Sequence, residues 1–581
     1  MNSLRHSVTI ILQCMQKFSK ATPTERRSYL LSRYEQLKTQ RNYHSTMWKD
    51  VSRYISPFSG RFNAGNHGEG RSFDLILDST AERSLDTLSS GMMSSASSPS
   101  RSWFSLVTTD PDLQKDKEVS VWLSQCESAL QRTFEISNTY TVLQQMYKEL
   151  ALFGVSANVI TESPFTIIEN HLLSAGEFAI GSDSAGNVNT LYREFELTTS
   201  QAVRQFGYDK VSRSIQQAYD SGYLQAYWRF IQAIEPRDDR DVTSKFATEK
   251  RFASYYLDLS AETGDNGGVV SEGGYDLFPC VVPRWEVLGN DPYGTSPCIK
   301  LLPDVKQLQQ EIYRKLEMID QMAHPPLLVP QSARNGQISL KAGALNYTAG
   351  NDAVNAIKPM LQNNGDANVL VQDIANLQNI IKEGLFVKQF LILEEAMNNR
   401  KTTVEVYALK EEKMLALGSV AERINNECLK PYVNITLARL AESGVLPPAP
   451  RQIENVSLQV EFQSVLAQAQ KAIDLNSVDR FMSTTMNLAS VFPDVLNRVD
   501  TDGLIDAYAQ RIGVDPQILR SREEANQIRQ QQAEAQQKQQ ELDQAQQQSL
   551  TAQQLAQAQK SGTEASLANQ QLQTAQDSLG A

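Results

Sequence analysis

The sequence predicts an α+β chain, predominantly helical, and three observations carry that expectation. Long stretches place apolar residues three and four apart, as in Val305, Leu308, Ile312, Leu316 and Ile319, which is the stripe of an amphipathic helix. From Val155 to about Ser271 the period shifts toward two, the alternation of half-buried strands. The chain has 581 residues, 41% of them hydrophobic, too many for one core and apolar enough for several.

Taken in order, the elements justify themselves as follows. The first 22 residues hold a short apolar run, Val8 to Leu12, broken by Gln13 and followed by no clean cleavage site. They read as an amphipathic helix or flexible arm rather than a signal peptide. Thr22-Pro23-Thr24-Glu25 is a capping box with proline at the first helical position. It should launch a helix over Pro23–Ile55, with Tyr29, Leu30, Tyr34, Leu37 and Trp48 inward. Phe58–Arg71 is a Gly- and Asn-rich loop, and a second helix is expected over Ser72–Ser90. A Ser-rich run, Ser89–Ser102, contains Pro99 and leads into a strand at Trp103-Phe104-Ser105-Leu106. Two further helices follow, about Asp116–Ser137 and Tyr140–Phe153.

Expected strands are Ala157–Glu162, Phe165–Glu169, Thr190–Phe195, Ala226–Glu235 and Arg251–Leu259, interrupted by short helices at Thr199–Phe206 and Lys210–Ser221. Gly181-Ser182-Asp183-Ser184 reads as a hairpin turn, and so does the mixed-charge run Arg237–Asp241, whose charges screen one another in solvent. Gly65–Gly70 and Gly264–Gly274 read as loops. The stretch Phe278–Gln331 is a strut: a Pro-marked strand segment, a Tyr-Gly turn, then an amphipathic helix placed at Pro303–Met322 and stopped by Pro325-Pro326. A weakly charged segment, Leu327–Asn368, looks like a small α/β excursion, and a second long helix, Val369–Leu393, brings the chain back with Ile374, Leu377, Ile381 and Leu385 as its stripe. After a polar break, Glu394–Thr402, a very long helix is expected over Thr403–Glu442 with a kink at Pro431. Pro447, Pro448 and Pro450 mark a boundary, and Ile453–Arg520 is expected to be all helical. Sixteen of the 33 residues from Gln527 to Gln559 are Gln; this segment is either a bundle of self-associated helices or a disordered tail, and Ser561–Ala581 should be disordered.

Chemistry-bearing motifs are missing from this pattern. There is no GxxxxGK[ST] phosphate loop, no GxSxG elbow, and no defensible triad or carboxylate pair. The five cysteines (Cys14, Cys126, Cys280, Cys298, Cys428) form no CxxC pair, and the five histidines (His6, His44, His67, His171, His324) form no HExxH or HxxxH pair, so buried thiols are expected rather than disulfides or zinc. No window approaches 18 uninterrupted apolar residues. The net charge of −12 argues against a surface that grips nucleic acid, though not against a protein that surrounds it.

Three segments carry a resemblance. They are PRWEVLGNDPYGTSPCIKLLPDVKQLQQ with Trp285, Tyr293, Gly294 and Pro303; SGMMSSASSPSRSWFSL with Pro99, Trp103 and Phe104; and MYKELALFGVSANVITE. With the order of elements, they make the chain from Pro23 to Arg520 resemble the portal (head-to-tail connector) proteins of short-tailed, podovirus-type bacteriophages. That resemblance implies a ring, usually a dodecamer, with wing, stem, clip and crown regions around an axial channel. It implies an N-terminal arm (1–22), a wing (23–302, completed by a long helix, 403–446), stem helices at 303–324 and 369–393, and a clip at 325–368. The implied tunnel loop is 394–402, with Asn398, Asn399, Arg400 and Lys401 as candidates for DNA contact. A crown at 447–525 would precede a Gln-rich barrel or disordered segment (526–560) and a disordered tail (561–581).

The implied function is a structural channel at one capsid vertex, not an enzyme, with no cofactor and no metal. Double-stranded DNA would pass through it without sequence-specific binding, driven by a separate terminase. Further implied partners are capsid and scaffolding proteins and a tail adaptor at the clip, with no membrane. The implied location is the virion, after assembly in the bacterial host cytoplasm. A repelling acidic wall suits sliding DNA. The alternatives are a non-channel virion scaffold or adaptor built on self-associating helices, suggested by the Gln-rich tail, and a DNA-processing enzyme, weighed against by the absent site.

Overall fold

Helix α1 (Pro23–Ile55) begins at its capping box: Thr22 Oγ1 accepts the Glu25 N–H at 3.4 Å and the Glu25 carboxylate accepts the Thr22 N–H at 2.9 Å. The computed structural model of the chain describes residues 22–62, 73–110, 116–261 (apart from 239, 242 and 245), 268–324, 367–390, 418–453, 458–462 and 522–577, with short pieces elsewhere. Leu30, Tyr34, Leu37 and Trp48 are buried as their spacing requires, whereas Tyr29, on the edge of that face, stays 45% exposed.

Helix α2 (Thr80–Ala96) starts later than its sequence suggests and runs further. The Leu77 and Asp78 N–H groups donate to Gln309 Oε1 at 2.7 and 2.9 Å, and Asp78 Oδ1 accepts the Thr80 N–H, so a distant side chain holds this stretch out of the helix. At the other end Ser94 and Ser95 turn their hydroxyls onto the Gly91 carbonyl, which lets the Ser-rich run stay helical. Strand β1 (Phe104–Thr108) follows, then α3 (Lys117–Ile136) and α4 (Thr139–Phe153). Gly154 terminates α4 at φ 81°, a conformation that glycine adopts without steric cost.

The β-rich part contains β2 (Ala157–Ser163), β3 (Ile167–Leu173), β4 (Phe178–Ser182) and β5 (Val188–Thr198). After the helices α5 (Thr199–Phe206) and α6 (Arg213–Asp220) come β6 (Tyr227–Pro236), β7 (Phe252–Asp258), β8 (Val269–Tyr275) and the short β9 (Cys280–Val281). Strands β4-β5-β6-β7-β8 form an antiparallel sheet in chain order, and β3-β2-β9 a smaller one. Leu30, Tyr34 and Leu37 of α1 pack with Tyr192, Ile231, Tyr255 and Leu257 of the larger sheet, while Phe206 and Ile215 of α5 and α6 cluster with Phe230. Each such side chain contributes roughly 1.5–3 kcal/mol by leaving water.

The sequence misses β4 and β8. Strand β8 reads as a loop because of Gly273 and Gly274, yet Gly274 pairs with Ala253 where a Cβ would stand 2.8 Å from the Phe252 carbonyl oxygen. Asp183 does turn a hairpin, accepting the Ala185 and Asn187 N–H groups, but Gly181 and Ser182 belong to β4. The run from Arg237 connects β6 to β7, and Arg237 is not solvated: its side chain is buried against Glu272.

Helix α7 (Pro297–Ala323) corrects the placement of the strut: Pro303 lies inside it, and the start is Ser296, whose Oγ accepts the Ile299 N–H at 3.0 Å with Pro297 next. A two-residue ladder, β10 (Leu327–Leu328) with β11 (Lys358–Pro359), is what the structure describes of the excursion. The returning helix α8 (Ala367–Gly384) is shorter than expected; the chain breaks at Phe386, φ 57°, before α9 (Val387–Phe390). Its stripe Ile374, Leu377, Ile381 and Leu385 is buried.

Residues 391–417, including the polar break and the start of the long helix, lie outside the described residues. The rest of that helix comprises α10 (Gly418–Ile424), a π turn (Asn425–Leu429) and α11 (Lys430–Glu442). The expected interruption at Pro431 therefore takes the form of a widened turn just ahead of it, room for a ring with no N–H. The expectation of helix throughout Ile453–Arg520 is overturned by β12 (Leu458–Phe462), which pairs antiparallel with β1. Its alternation Leu458, Val460, Phe462 is a two-residue period inside a region read as helical. Helix α12 (Arg522–Asp577) is continuous and solvent-exposed, extending past Ser561, where disorder is expected.

The chain divides into two units, residues 1–110 with 125–470, and residues 111–124 with 471–581. Among the described residues no helix is long and apolar enough to cross a membrane.

Candidate functional site

Two of the three segments singled out in the sequence meet at the root of α7, and the third joins them through α4. The turn carrying Tyr293 and Gly294 lies on the end of α4, backbone to backbone. Trp285 N–H donates to the Gly154 carbonyl at 2.9 Å, and Ser296 Oγ, which caps α7, donates to the Leu152 carbonyl at 2.8 Å. Gly154 and Gly294 allow this approach: a Cβ on Gly154 would stand 2.7 Å from the Gly294 carbonyl carbon, and one on Gly294 would press on the Gly154 carbonyl oxygen. Tyr293 is buried edge-on to Trp48, 5.5 Å between centroids, and its hydroxyl accepts the Ile180 N–H at 3.1 Å. Trp48 Nε1 in turn donates to the Phe153 carbonyl at 3.0 Å.

The second segment enters through Trp103 and Phe104. Trp103 is buried, stacking on Phe134 (5.8 Å, 21°) and Phe462 (6.4 Å, 2°), and Phe134 meets Tyr432 edge-on. Ser97 and Tyr147 share a hydrogen bond of 2.9 Å, which joins this segment to α4. The Tyr432 hydroxyl donates to Asn170 Oδ1, whose side chain also takes the Asn158 Nδ2–H at 3.0 Å. Pro99 sits exposed in the turn before this core, and Pro303 is exposed on α7.

Charged side chains lock the root of α7 to its surroundings. Arg284, 5% exposed, donates from Nε and Nη2 to the two carboxylate oxygens of Glu427 at 3.1 and 2.7 Å, and its backbone N–H donates to the same carboxylate. Glu427 stands on the π turn, so the widened turn is where the long helix is clamped to the strut segment. Gln309 of α7 bridges to the backbone of Leu77 and Asp78, Gln378 of α8 donates to Asp78 Oδ2 at 2.8 Å, and Lys306 pairs with Asp50 at 2.6 Å.

Burial sets the electrostatics here. The Glu149 carboxyl, on α4 and wholly enclosed, is pushed up to about 7 by desolvation, against hydrogen bonds from Ala175 and Ser174 and with Glu177 nearby raising it further. Cys126, Cys280, Cys298 and Cys428 are free and buried; burial lifts their thiols, that of Cys126 to about 12. Among the described residues no three His, Cys, Asp or Glu side chains gather as a metal site. The arrangement is mechanical: it fixes the direction in which α7 leaves the β-rich part.

The structure brings Trp285, Tyr293 and Gly294 to this junction, and Trp103 and Phe104 to the aromatic core beside it. Asn398, Asn399, Arg400 and Lys401 lie outside the described residues. Sequence reasoning misses Arg284, Gln309 and Glu427. A long polar side chain reads as solvated until its partner, over a hundred positions away for Arg284 and Glu427, is known.

A family profile described as bacteriophage head to tail connecting protein matches residues 27–519. A probable portal protein of Bordetella phage BPP-1 is 40% identical over 519 residues, covering 89% of this chain and 93% of its own. A portal protein of Salmonella phage epsilon15 is 34% identical over 511 residues, covering 87% and 91%. Among solved structures, a chain from the neck of a native gene transfer agent particle aligns at 12% identity and a TM-score of 0.33, covering 74% of this chain and 94% of that one, too loose a likeness to argue from.

Proposed function

Because the chain belongs to the bacteriophage head to tail connecting proteins and is a portal protein of the virion, we propose that it closes into a dodecameric ring around an axial DNA channel at one capsid vertex. In this reading α7 and α8 are the stem, residues 325–368 the clip that receives a tail adaptor, and residues 394–402 the tunnel loop. The segments around them form the wing, and residues 447–525 the crown. A separate terminase drives double-stranded DNA inward, capsid and scaffolding proteins hold the rim, and assembly takes place in the host cytoplasm.

The observation that carries the ring is on α7. Tyr313, Leu316, Ile319 and Met322 are each more than half exposed in the single chain, beyond the part of the helix buried on α8. An apolar row of this length on one helix calls for a neighbour, and a ring supplies it by heterologous contact repeated until the rotation closes. The Gln-rich α12, exposed along its length, gains the same kind of company as a bundle of identical helices. Electron microscopy of the purified protein tests this. The expected image is a closed ring with a hole about the width of duplex DNA, roughly 20 Å; persistent monomers or open filaments would rule the reading out.

A further inference from the structure

A cleft of about 460 Å³ opens between the first two turns of α4, strand β3 and strand β5, and none of its lining lies on α7 or α8. Both strands border it with edges that, among the described residues, have no further strand beside them. On one wall β3 is the outer strand of the small sheet. At Asn170 its main chain is capped by Asn138, whose Oδ1 accepts the N–H at 3.0 Å and whose Nδ2 donates to the carbonyl at 2.9 Å. Main-chain groups two residues apart on a strand point the same way, so Leu172 is the next outward position, and it lines the cleft. On the other wall β4 gives out before β5. Their last pair is Phe178 with Arg193, one more bond joins the Glu194 N–H to the Glu177 carbonyl at 3.1 Å, and β5 runs on to Thr198. An open strand edge is a template for another strand.

The charges of the cleft single out one cation. Glu194 accepts the Tyr34 hydroxyl at 2.9 Å and pairs with Arg229 at 3.3 Å, while Glu177 pairs with Arg61 at 2.9 Å and accepts the Ser174 N–H. Each carboxylate thus has an arginine of its own. Arg193 forms no ion pair among the described residues: Gln232 Oε1 accepts its Nε–H at 2.6 Å, and its guanidinium lies 4.9 Å from the Phe195 centroid, both neutral groups. His171, on the same cleft, adds no charge near pH 7, because burial and the Arg193 cation both lower its pKa. Arg193 is partly exposed and lines the cleft, with Val142, Leu173 and Phe195 supplying apolar surface around it. Ligand pockets run from roughly 300 to 1,000 Å³, and one of this size admits a few residues of extended chain.

We propose that this cleft binds an extended segment of a partner protein, which pairs by its main chain with the open edge of β3 and sets an acidic side chain on Arg193. In strand addition the main chain supplies affinity and the side-chain contact supplies selectivity. The site uses no residue of α7 or α8, so it stands apart from the ring reading. Fluorescein-labelled Thr-Val-Glu-Val-Thr amide, titrated with the full chain and read by anisotropy, should bind saturably. Its Gln analogue should bind at least about tenfold more weakly, the effect of a lost charge-assisted bond. Arg193→Gln should cost the Glu peptide the same factor and leave the Gln peptide unchanged. The Glu peptide N-methylated along its main chain should also lose at least about tenfold, since it can no longer pair as a strand. Thr141→Trp fills the cleft from its exposed rim and should weaken both peptides, which keeps the test open should Arg193→Gln not fold. Lys300→Gln, which removes a solvent-facing cation paired with Glu286, should change nothing. Absence of saturable binding overturns the proposal. So does equal affinity for the Gln or the N-methylated peptide, competition by free glutarate at the peptide's own concentrations, wild-type affinity in Arg193→Gln or Thr141→Trp, or an equal loss in Lys300→Gln.

Discussion

Gly154 and Gly294 stand against each other where α4 ends and the turn before α7 begins, each occupying the space that a side chain on the other would need. Gly154 also holds φ at 81°, so it is constrained twice. Gly154→Ala and Gly294→Ala should each destabilise the protein by about 2–4 kcal/mol, since strain and steric overlap both act on the folded state. Urea denaturation followed by tryptophan fluorescence measures this. Near-wild-type midpoints for both variants would mean the two segments separate easily.

Arg284 and Glu427 form a largely buried pair joining the strut segment to the π turn. Glu427→Ala leaves a buried guanidinium uncompensated and should cost about 3 kcal/mol. The double variant Arg284→Met/Glu427→Leu should recover part of that loss, because neither charge then needs a partner. A double-mutant cycle showing purely additive losses would deny the coupling.

Glu149 should make stability depend on pH. Its folded value, about 7, exceeds the ordinary 4.5, so between these two the folded state holds a proton that the unfolded state has released. Stability from this group is therefore full below about pH 4.5 and falls as pH rises toward 7, by about 3 kcal/mol in all. Glu149→Gln should flatten that part of the profile and stabilise the protein at pH 8. Denaturation midpoints of the two proteins at pH 5 and pH 8 supply the comparison; parallel profiles would count against it.

Leu316 and Ile319 are half exposed on α7 and belong to the face assigned to a neighbouring copy. Leu316→Asp and Ile319→Asp should raise the concentration needed for assembly at least about tenfold while leaving the far-ultraviolet spectrum unchanged. Light scattering across a dilution series reads this directly. Unaltered assembly would move the interface elsewhere.

Arg400 and Lys401 belong to the proposed tunnel loop. Replacing both by Ala should leave ring assembly intact and alter DNA packaging or retention, scored as the packaged fraction of particles. If assembly is lost instead, the two residues have a structural role.

Much of the helical framework is legible locally. The Thr22–Glu25 capping box, the Thr199–Phe206 helix and the stripe at Ile374, Leu377 and Ile381 follow from propensity, caps and period, which need only a few neighbouring residues. The failures share a cause. The start of α2 is set by Gln309, strand β8 by its pairing with β7, β12 by β1, and Arg237 is drawn inward by Glu272.

The candidate site divides in the same way. Trp103, Phe104, Trp285, Tyr293 and Gly294 stand out in the sequence as a pattern, and with it comes the family. That Gly294 lies on Gly154, that Arg284 is clamped by Glu427, and that Arg26 and Arg237 both reach Glu272, only the tertiary structure decides. Local periodicity and capping act over one or two helical turns, so a single sequence determines them. Partners more than a hundred residues apart are chosen by packing and burial, which exist only once the chain has folded.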